Sequence, residues 1–377
     1  MKRIAFVVNV DWFFISHRLP IALAALGHGY DVTVIANDTG KRKQIEAYGL
    51  KFIELPISRG ESKIIDEIKI VNYLRKLYSA QKFDLVYQVG LKLILFGTLS
   101  LFFVSKKIKQ INALSGAGSL FSYKGKQSLA VNFLIKFFKA TLNNSAIFIF
   151  QNNEDRELFY SISTKINETN SFIIKGSGVD LKLFDFTQLP LHSPKLIVYT
   201  GRLIREKGIV ELVSAANQLR VMLEGKAKFI IVGDIDIHNP GSISKEFIID
   251  NSIANYIEFL GYRTDIIDIL KSSYCYVFPS YYREGIPKSA IEAAAIGRPI
   301  ITTDSVGCRE VVENNRTGIL LQPKNIIDLG HAILDIIENE DKAIEWGKEA
   351  RIKAVKEFDL DIITKQTMQI IINHLIK

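Results

Sequence analysis

Short runs of β-branched and aromatic residues alternate with helix-patterned segments along the whole 377-residue chain, and this alternation does most to narrow its fold. Runs at 4–8 (IAFVV), 32–36 (VTVIA), 52–55 (FIEL), 85–89 (LVYQV) and 147–150 (IFIF) are separated by helical patterns such as 17–27 and 62–79. Strands spaced by helices point to an α/β chain with a parallel sheet. After a polar, proline-bearing stretch at 186–195 (FTQLPLHSPK) the alternation starts again, with runs at 195–201, 228–234, 256–262, 274–280 and 299–304 and a helix from about 207. Two similar sheets are therefore expected: an N-terminal domain over 1–175, a linker over 176–195 and a C-terminal domain over 196–360. The last segment, 361–377, has apolar residues at helical spacing and is expected to pack back on the N-terminal domain. Open parallel sheets bind ligands beyond the carboxyl ends of their strands, so two of them facing a cleft should collect the functional residues there.

Charge is unevenly placed. The net charge is +8, yet residues 1–175 carry 24 Lys and Arg against 13 Asp and Glu, and residues 176–377 carry 24 against 27. Between Asp84 and Glu154 there are eight lysines and no acid, set among many Phe, Leu and Ile, which favours an anionic partner or surface. The longest apolar run, 93–105 (LILFGTLSLFFVS), is too short for a membrane-crossing helix, and none is expected. The start, MKRIAFVVNVDWFF, is interrupted by Asn9 and Asp11 and lacks a small-residue cleavage site, so it reads as a buried first strand and not as a signal peptide. Only two cysteines occur, Cys275 and Cys308, without metal-ligand spacing, which fits a reducing, cytosolic setting.

The segment 283–299, REGIPKSAIEAAAIGRP, places Glu284 just before an alanine-rich helix and Glu292 within it. Apolar residues surround that helix on nearly every side, and a carboxylate buried there needs a partner. A helical rise puts the two glutamates about 8–12 Å apart, so a single ligand touching both must be long. The paired carboxylates of a glycoside hydrolase flank one scissile bond, at about 5–9.5 Å, and would rarely come from one helix and its cap. A second cluster, 201–208 (GRLIREKG), follows a strand and opens a helix. Arg202, Lys207 and the helix amides suit a diphosphate there. A nucleotide sugar would join the two clusters, with sugar hydroxyls at Glu284, the diphosphate at Arg202, Lys207 and the amides of Gly285 and Ile286, and ribose at Glu292.

These stretches, with 306–321 (VGCREVVENNRTGILL), 150–159 (FQNNEDRELF) and 175–180 (KGSGVD), resemble glycosyltransferase family 4 over nearly the whole chain. The resemblance implies the GT-B fold, with two Rossmann-like parallel-sheet domains facing a cleft, and sugar transfer with retention of configuration. It assigns catalysis to Glu284, Arg202 and Lys207, and donor binding to those three with Gly285, Ile286 and Glu292. The N-terminal SHRLPIA (16–22) narrows the likeness to bacterial enzymes that build capsule, O-antigen or lipid-linked oligosaccharides at the inner face of the cell membrane. That implies a nucleoside-diphosphate sugar donor, with UDP as the nucleotide, and a polyprenyl-diphosphate-linked saccharide acceptor; the lysine-rich stretch 85–153 adds peripheral attachment to an anionic membrane surface, and no nucleic-acid partner is expected.

Where many family members carry a donor-side histidine in the N-terminal domain, this chain has 112–119, NALSGAGS, with none. His17 and Arg18, at the start of the first helix after the first strand's loop, and Lys92, after a later strand, are candidates for the acceptor, although a helix-terminal histidine also has purely structural uses. Asp234 and Asp236 imitate a metal-binding DxD, but a turn suits them better, and neither an essential metal nor another cofactor is expected. Two other readings stay open: a GT-B nucleotide-sugar epimerase, and a nucleotide-sugar-binding protein without turnover.

Overall fold

The structure is a computed structural model that describes residues 1–57, 64–105, 107–116, 129–237 and 239–376. It divides into two compact units, residues 1–178 with 360–377, and residues 179–359.

In the first unit, the described residues form a sheet of seven strands in the order β3-β2-β1-β4-β5-β6-β7. They are β1 (Arg3–Val10), β2 (Asp31–Asn37), β3 (Lys51–Glu54), β4 (Leu85–Val89), β5 (Lys109–Ala113), β6 (Ile147–Phe150) and β7 (Ser171–Ile173). Every neighbouring pair is parallel. The period-2 geometry of β1 explains why its sequence is apolar throughout. Ile4, Phe6 and Val8 join one core with helix Leu19–Gly27, while Ala5 and Val7 join another under helix Ile64–Gln81. The terminal helix, Leu360–Ile376, lays Ile363, Met368, Ile371 and Leu375 into the first of these cores.

Two strands of this unit were not expected from the sequence. β5 reads KQINA because its polar side chains are turned to one another: buried Gln110 donates to Thr98 Oγ1 and to Asn112 Oδ1 (2.9 Å). β7 has only three residues. The segment expected as a loop before His17 is instead helix Asp11–His17, so His17 ends one helix where it was expected to open the first, and helix Leu19–Gly27 follows after Arg18. Asp11, wholly buried, accepts hydrogen bonds from the N–H groups of Trp12, Thr39 and Lys41 and from the Thr39 hydroxyl, which ties the end of β1 to the turn after β2. Burial would raise its pKa, but these hydrogen bonds outweigh that and hold it below the ordinary carboxylate value.

The second unit carries β8 (Lys195–Thr200), β9 (Ala227–Val232), β10 (Ile257–Gly261), β11 (Cys275–Phe278), β12 (Ile300–Thr303) and β13 (Gly318–Leu321), in the order β10-β9-β8-β11-β12-β13 and again all parallel. In both sheets the chain order reverses direction once, between β1 and β4 and between β8 and β11. Such a reversal opens a crevice at the carboxyl ends of the two strands beside it, where α/β sheets take their ligands.

The stretch expected as a linker, 176–195, is packed from Val179 onward on the second unit. Val179 pairs with Asp359, and Phe184 is buried in the core. Arg298, wholly buried, anchors the stretch: its guanidinium donates to the carbonyls of Thr187 (3.1 Å), Leu270 (3.1 Å) and Lys271 (2.9 Å) and to the Thr187 hydroxyl. Burial pushes its pKa down to about 10, so it stays charged at neutral pH. Arg298→Leu should leave these carbonyls unpaired and destabilise the protein by about 3 kcal/mol or more, read as a lower urea midpoint by circular dichroism. An unchanged midpoint would refute the anchoring role.

Candidate active site

At the reversal point of the second sheet, the turns after β8 and β11 meet. Gly208 makes this possible. It lies at φ +75°, and a Cβ there would stand 2.1 Å from the carbonyl oxygen of Pro279, so only glycine lets the two backbones come this close. The contact brings Lys207 to Glu284, with Nζ to Oε2 at 3.0 Å, although the side chains are only 12% and 14% exposed. Lys207 also stands 5.0 Å from the centre of the Phe278 ring. The other carboxylate oxygen of Glu284 accepts from Ser280 Oγ at 2.9 Å. Ser280 is itself fixed, since its carbonyl accepts from the hydroxyls of Thr303 and Ser305. Both oxygens of Glu284 are thus held in one orientation. Gly307 plays the same part as Gly208 on the other side, where a Cβ would come within 1.8 Å of Gly285 O.

Arg202 sits at the mouth of the same turn. Its side chain is 45% exposed, and its Nη1 donates to Asp236 Oδ2 at 2.8 Å. Glu292 lies within helix Lys288–Ile296, as expected, and its partner is Lys288, one turn earlier, at 2.6 Å. Gly285 and Ile286 are buried between Glu284 and that helix. Asp236 also opens a turn, its carbonyl accepting from Asn239 N–H. Among the described residues no three His, Cys, Asp or Glu side chains come together as a metal site. Cys275 is buried in β11, and burial with the nearby Glu284 pushes the Cys308 thiol up to about 11, which keeps it a neutral hydrophobe.

The acceptor candidates lie in the first unit, by its own reversal point. His17 stacks on Phe13 (ring centres 4.2 Å apart), with Nδ1 2.6 Å from Ser16 Oγ. Arg18 is buried, 4% exposed. It donates to His17 O (2.8 Å) and Ser115 Oγ (2.9 Å), no carboxylate faces it among the described residues, and burial lowers its pKa. It lines a small cavity with Tyr87, Gln151 and Thr367. Lys92, in the first turn of helix Leu91–Phe102, pairs with Glu67 at 3.7 Å. Of the region expected to lack a donor-side histidine, residues 117–119 lie outside the described residues.

Ser280 and Lys288 were missed in the sequence, and Asp236 was read only as a turn former. Ser280 had a signal: a polar residue directly after an apolar strand and four positions before a candidate catalytic glutamate. Asp236 had none, because its partner is 34 residues away.

Compared with solved structures, the fold matches HepE of Anabaena, crystallised with UDP and glucose, at a TM-score of 0.79 and 18% identity, over 99% of this chain and 100% of that one. The two doubly wound sheets are those of the GT-B class. In sequence, residues 182–353 match the family described as "Glycosyl transferases group 1", and residues 3–152 match "Glycosyl transferase 4-like". The chain carries both glycosyl transferase domains, one after the other, and is a glycosyltransferase. Among curated relatives it is 28% identical to the N,N'-diacetylbacillosaminyl-diphospho-undecaprenol alpha-1,3-N-acetylgalactosaminyltransferase of Campylobacter jejuni, over 98% of both chains. It is 23% identical to the UDP-Gal:alpha-D-GlcNAc-diphosphoundecaprenol alpha-1,3-galactosyltransferase of Escherichia coli, over 88% of this chain and 86% of that one.

Because Ser280 donates to one oxygen of Glu284, Ser280→Ala should lower turnover about tenfold by freeing the carboxylate, and adding it to Glu284→Gln should cost little more. Fully additive losses would show that the two residues act separately.

Proposed function

We propose that this enzyme transfers a sugar, with retention of configuration, from a UDP-sugar to a hydroxyl of a saccharide carried on polyprenyl diphosphate, in the assembly of a bacterial surface polysaccharide. The observation that carries the donor half is the joining of Lys207, Glu284 and Ser280 at the reversal point of the second sheet, with Arg202 at its mouth. Glu284 takes the sugar hydroxyls, Arg202 and Lys207 the diphosphate, with Gly285 and Ile286 beside it, and Glu292 the ribose. In the reaction the bond from the anomeric carbon to the diphosphate oxygen breaks and a bond to the acceptor oxygen forms on the same face. The acceptor proton passes to the departing phosphate. Fixed cations aimed at the charge that grows on that phosphate supply most of the rate, which needs no protein nucleophile. The acceptor half is supported by the two lipid-linked relatives, and His17, Arg18 and Lys92 are its candidate contacts.

The same reading places the protein at the inner face of the cell membrane, attached through the first unit. No helix among the described residues is long and apolar enough to cross a membrane. Phe102 and Phe103 end helix Leu91–Phe102 on the surface, 60% and 53% exposed, with exposed Lys107 shortly after. Lys136 and Lys139 are exposed on helix Leu129–Thr141 beside Phe137, while Phe138 belongs to the core. Lys106, Lys124 and Lys126, and the side chain of Phe133, lie outside the described residues. Each lysine close to anionic lipid contributes about 1 kcal/mol, enough in sum for reversible, salt-sensitive attachment.

A screen of nucleotide sugars for released UDP, in the presence of a polyprenyl-diphosphate saccharide, tests the activity. Calorimetry separates the glutamates: Glu284→Gln should cut turnover with little change in UDP affinity, whereas Glu292→Gln should weaken UDP about tenfold. Equal effects on UDP would undo the assignment. For the membrane, changing Lys107, Lys136 and Lys139 to Glu should abolish sedimentation with phosphatidylglycerol vesicles and leave UDP affinity intact. A wild-type protein that ignores such vesicles at low salt contradicts the attachment.

A further inference from the structure

The segments that follow β8 and β9 run antiparallel beside each other. Leu203 N–H donates to Asp234 O (3.0 Å), Arg205 N–H to Gly241 O (2.8 Å) and Ile243 N–H to Leu203 O (3.1 Å), and Ile204 pairs with Ser242. Asp236 stands in the second segment, its backbone held by the turn to Asn239. Its side chain is 19% exposed, and Oδ2 accepts from Arg202 Nη1 at 2.8 Å. Among the described residues, Nε and Nη2 of Arg202 have no partner. A guanidinium carries five N–H donors in one plane, so a carboxylate at Nη1 fixes that plane and leaves the other donors for a second anion. Left alone, a half-exposed arginine would have to be ordered each time its ligand bound. The backbone bonds between the segments make the carboxylate a fixed point, whereas a surface ion pair between two mobile side chains would not be one.

We infer that Asp236 is a positioning residue for the diphosphate of the donor: it holds Arg202 by Nη1 and presents Nε and Nη2 to the diphosphate. This rests on the nucleotide-sugar reading above. The carboxylate itself does not touch the ligand. It stands behind the guanidinium, which separates two negative groups that would otherwise repel.

The test is calorimetry with UDP and UMP on the full chain. Asp236→Ala should weaken UDP about tenfold, since one charge-assisted contact is left disordered. Asp236→Asn, which keeps an acceptor oxygen for Nη1, should stay within about threefold of wild type, a rescue that a carboxylate needed only for its charge would not show. UMP, which lacks the second phosphate, should change by less than about twofold, and in an Arg202→Ala background Asp236→Ala should have no further effect. Equal loss of UMP and UDP, additive losses with Arg202→Ala, or unchanged or tighter UDP binding by Asp236→Ala would each overturn the assignment, the last by marking Asp236 as a competitor of the diphosphate. A wild-type protein that binds no UDP overturns the donor reading and this inference together; a wild type that binds UDP no better than Asp236→Ala overturns this inference alone.

Discussion

The ion pair between Lys207 and Glu284 is the constraint around which the second unit is arranged. The residues are 77 positions apart and each is nearly withdrawn from water, so both desolvation costs must be met in one place. They meet only because β8 and β11 are neighbours in the sheet, because both strands end there, and because Gly208 lets the backbone lie against Pro279. The hydroxyl of Ser280 satisfies the oxygen that Lys207 leaves. A hydrophobic pair would hold such a turn about as well, so an ion pair at the reversal point is better explained by chemistry than by stability.

Buried arginines show how the same residue type divides between structure and ligand. Among the described residues Arg298 has no carboxylate beside it, yet three carbonyls from two neighbouring segments take up its donors, and it acts as a rivet. Arg18 is nearly as buried, but among the described residues its acceptors are only His17 O and Ser115 Oγ, its Nε has none, and a small cavity adjoins it. Arg202 is half in solvent and tethered on one side. Depth does not separate Arg298 from Arg18; the supply of acceptors around each guanidinium does.

The sheets were legible wherever a strand is apolar on both faces, which is the signature of a parallel strand between two helical layers. β5 and β13 escaped for opposite reasons. Buried Gln110 of β5 bonds to Asn112 two positions on and to Thr98 from a helix, an arrangement that leaves no apolar pattern to read. β13 is four residues with Gly318 at its start, too short to stand out from the turns around it. The packed stretch after Val179 was also hidden, because its prolines and polar residues look like a linker until Arg298, more than a hundred residues later, claims the carbonyl of Thr187.

By itself the sequence determined the two parallel sheets, the helix carrying Glu292, and the residue types able to handle a diphosphate, because these depend on local periodicity and on chemistry carried within a few positions. The pairing was decided only by the tertiary structure: Glu284 with Lys207 and Ser280, Arg202 with Asp236, Lys92 with Glu67, and Phe138 inward while Phe102 and Phe103 face out. A charge finds its partner through space, and which strand ends stand side by side is set by the order of strands in the sheet, a property that no short window of sequence contains.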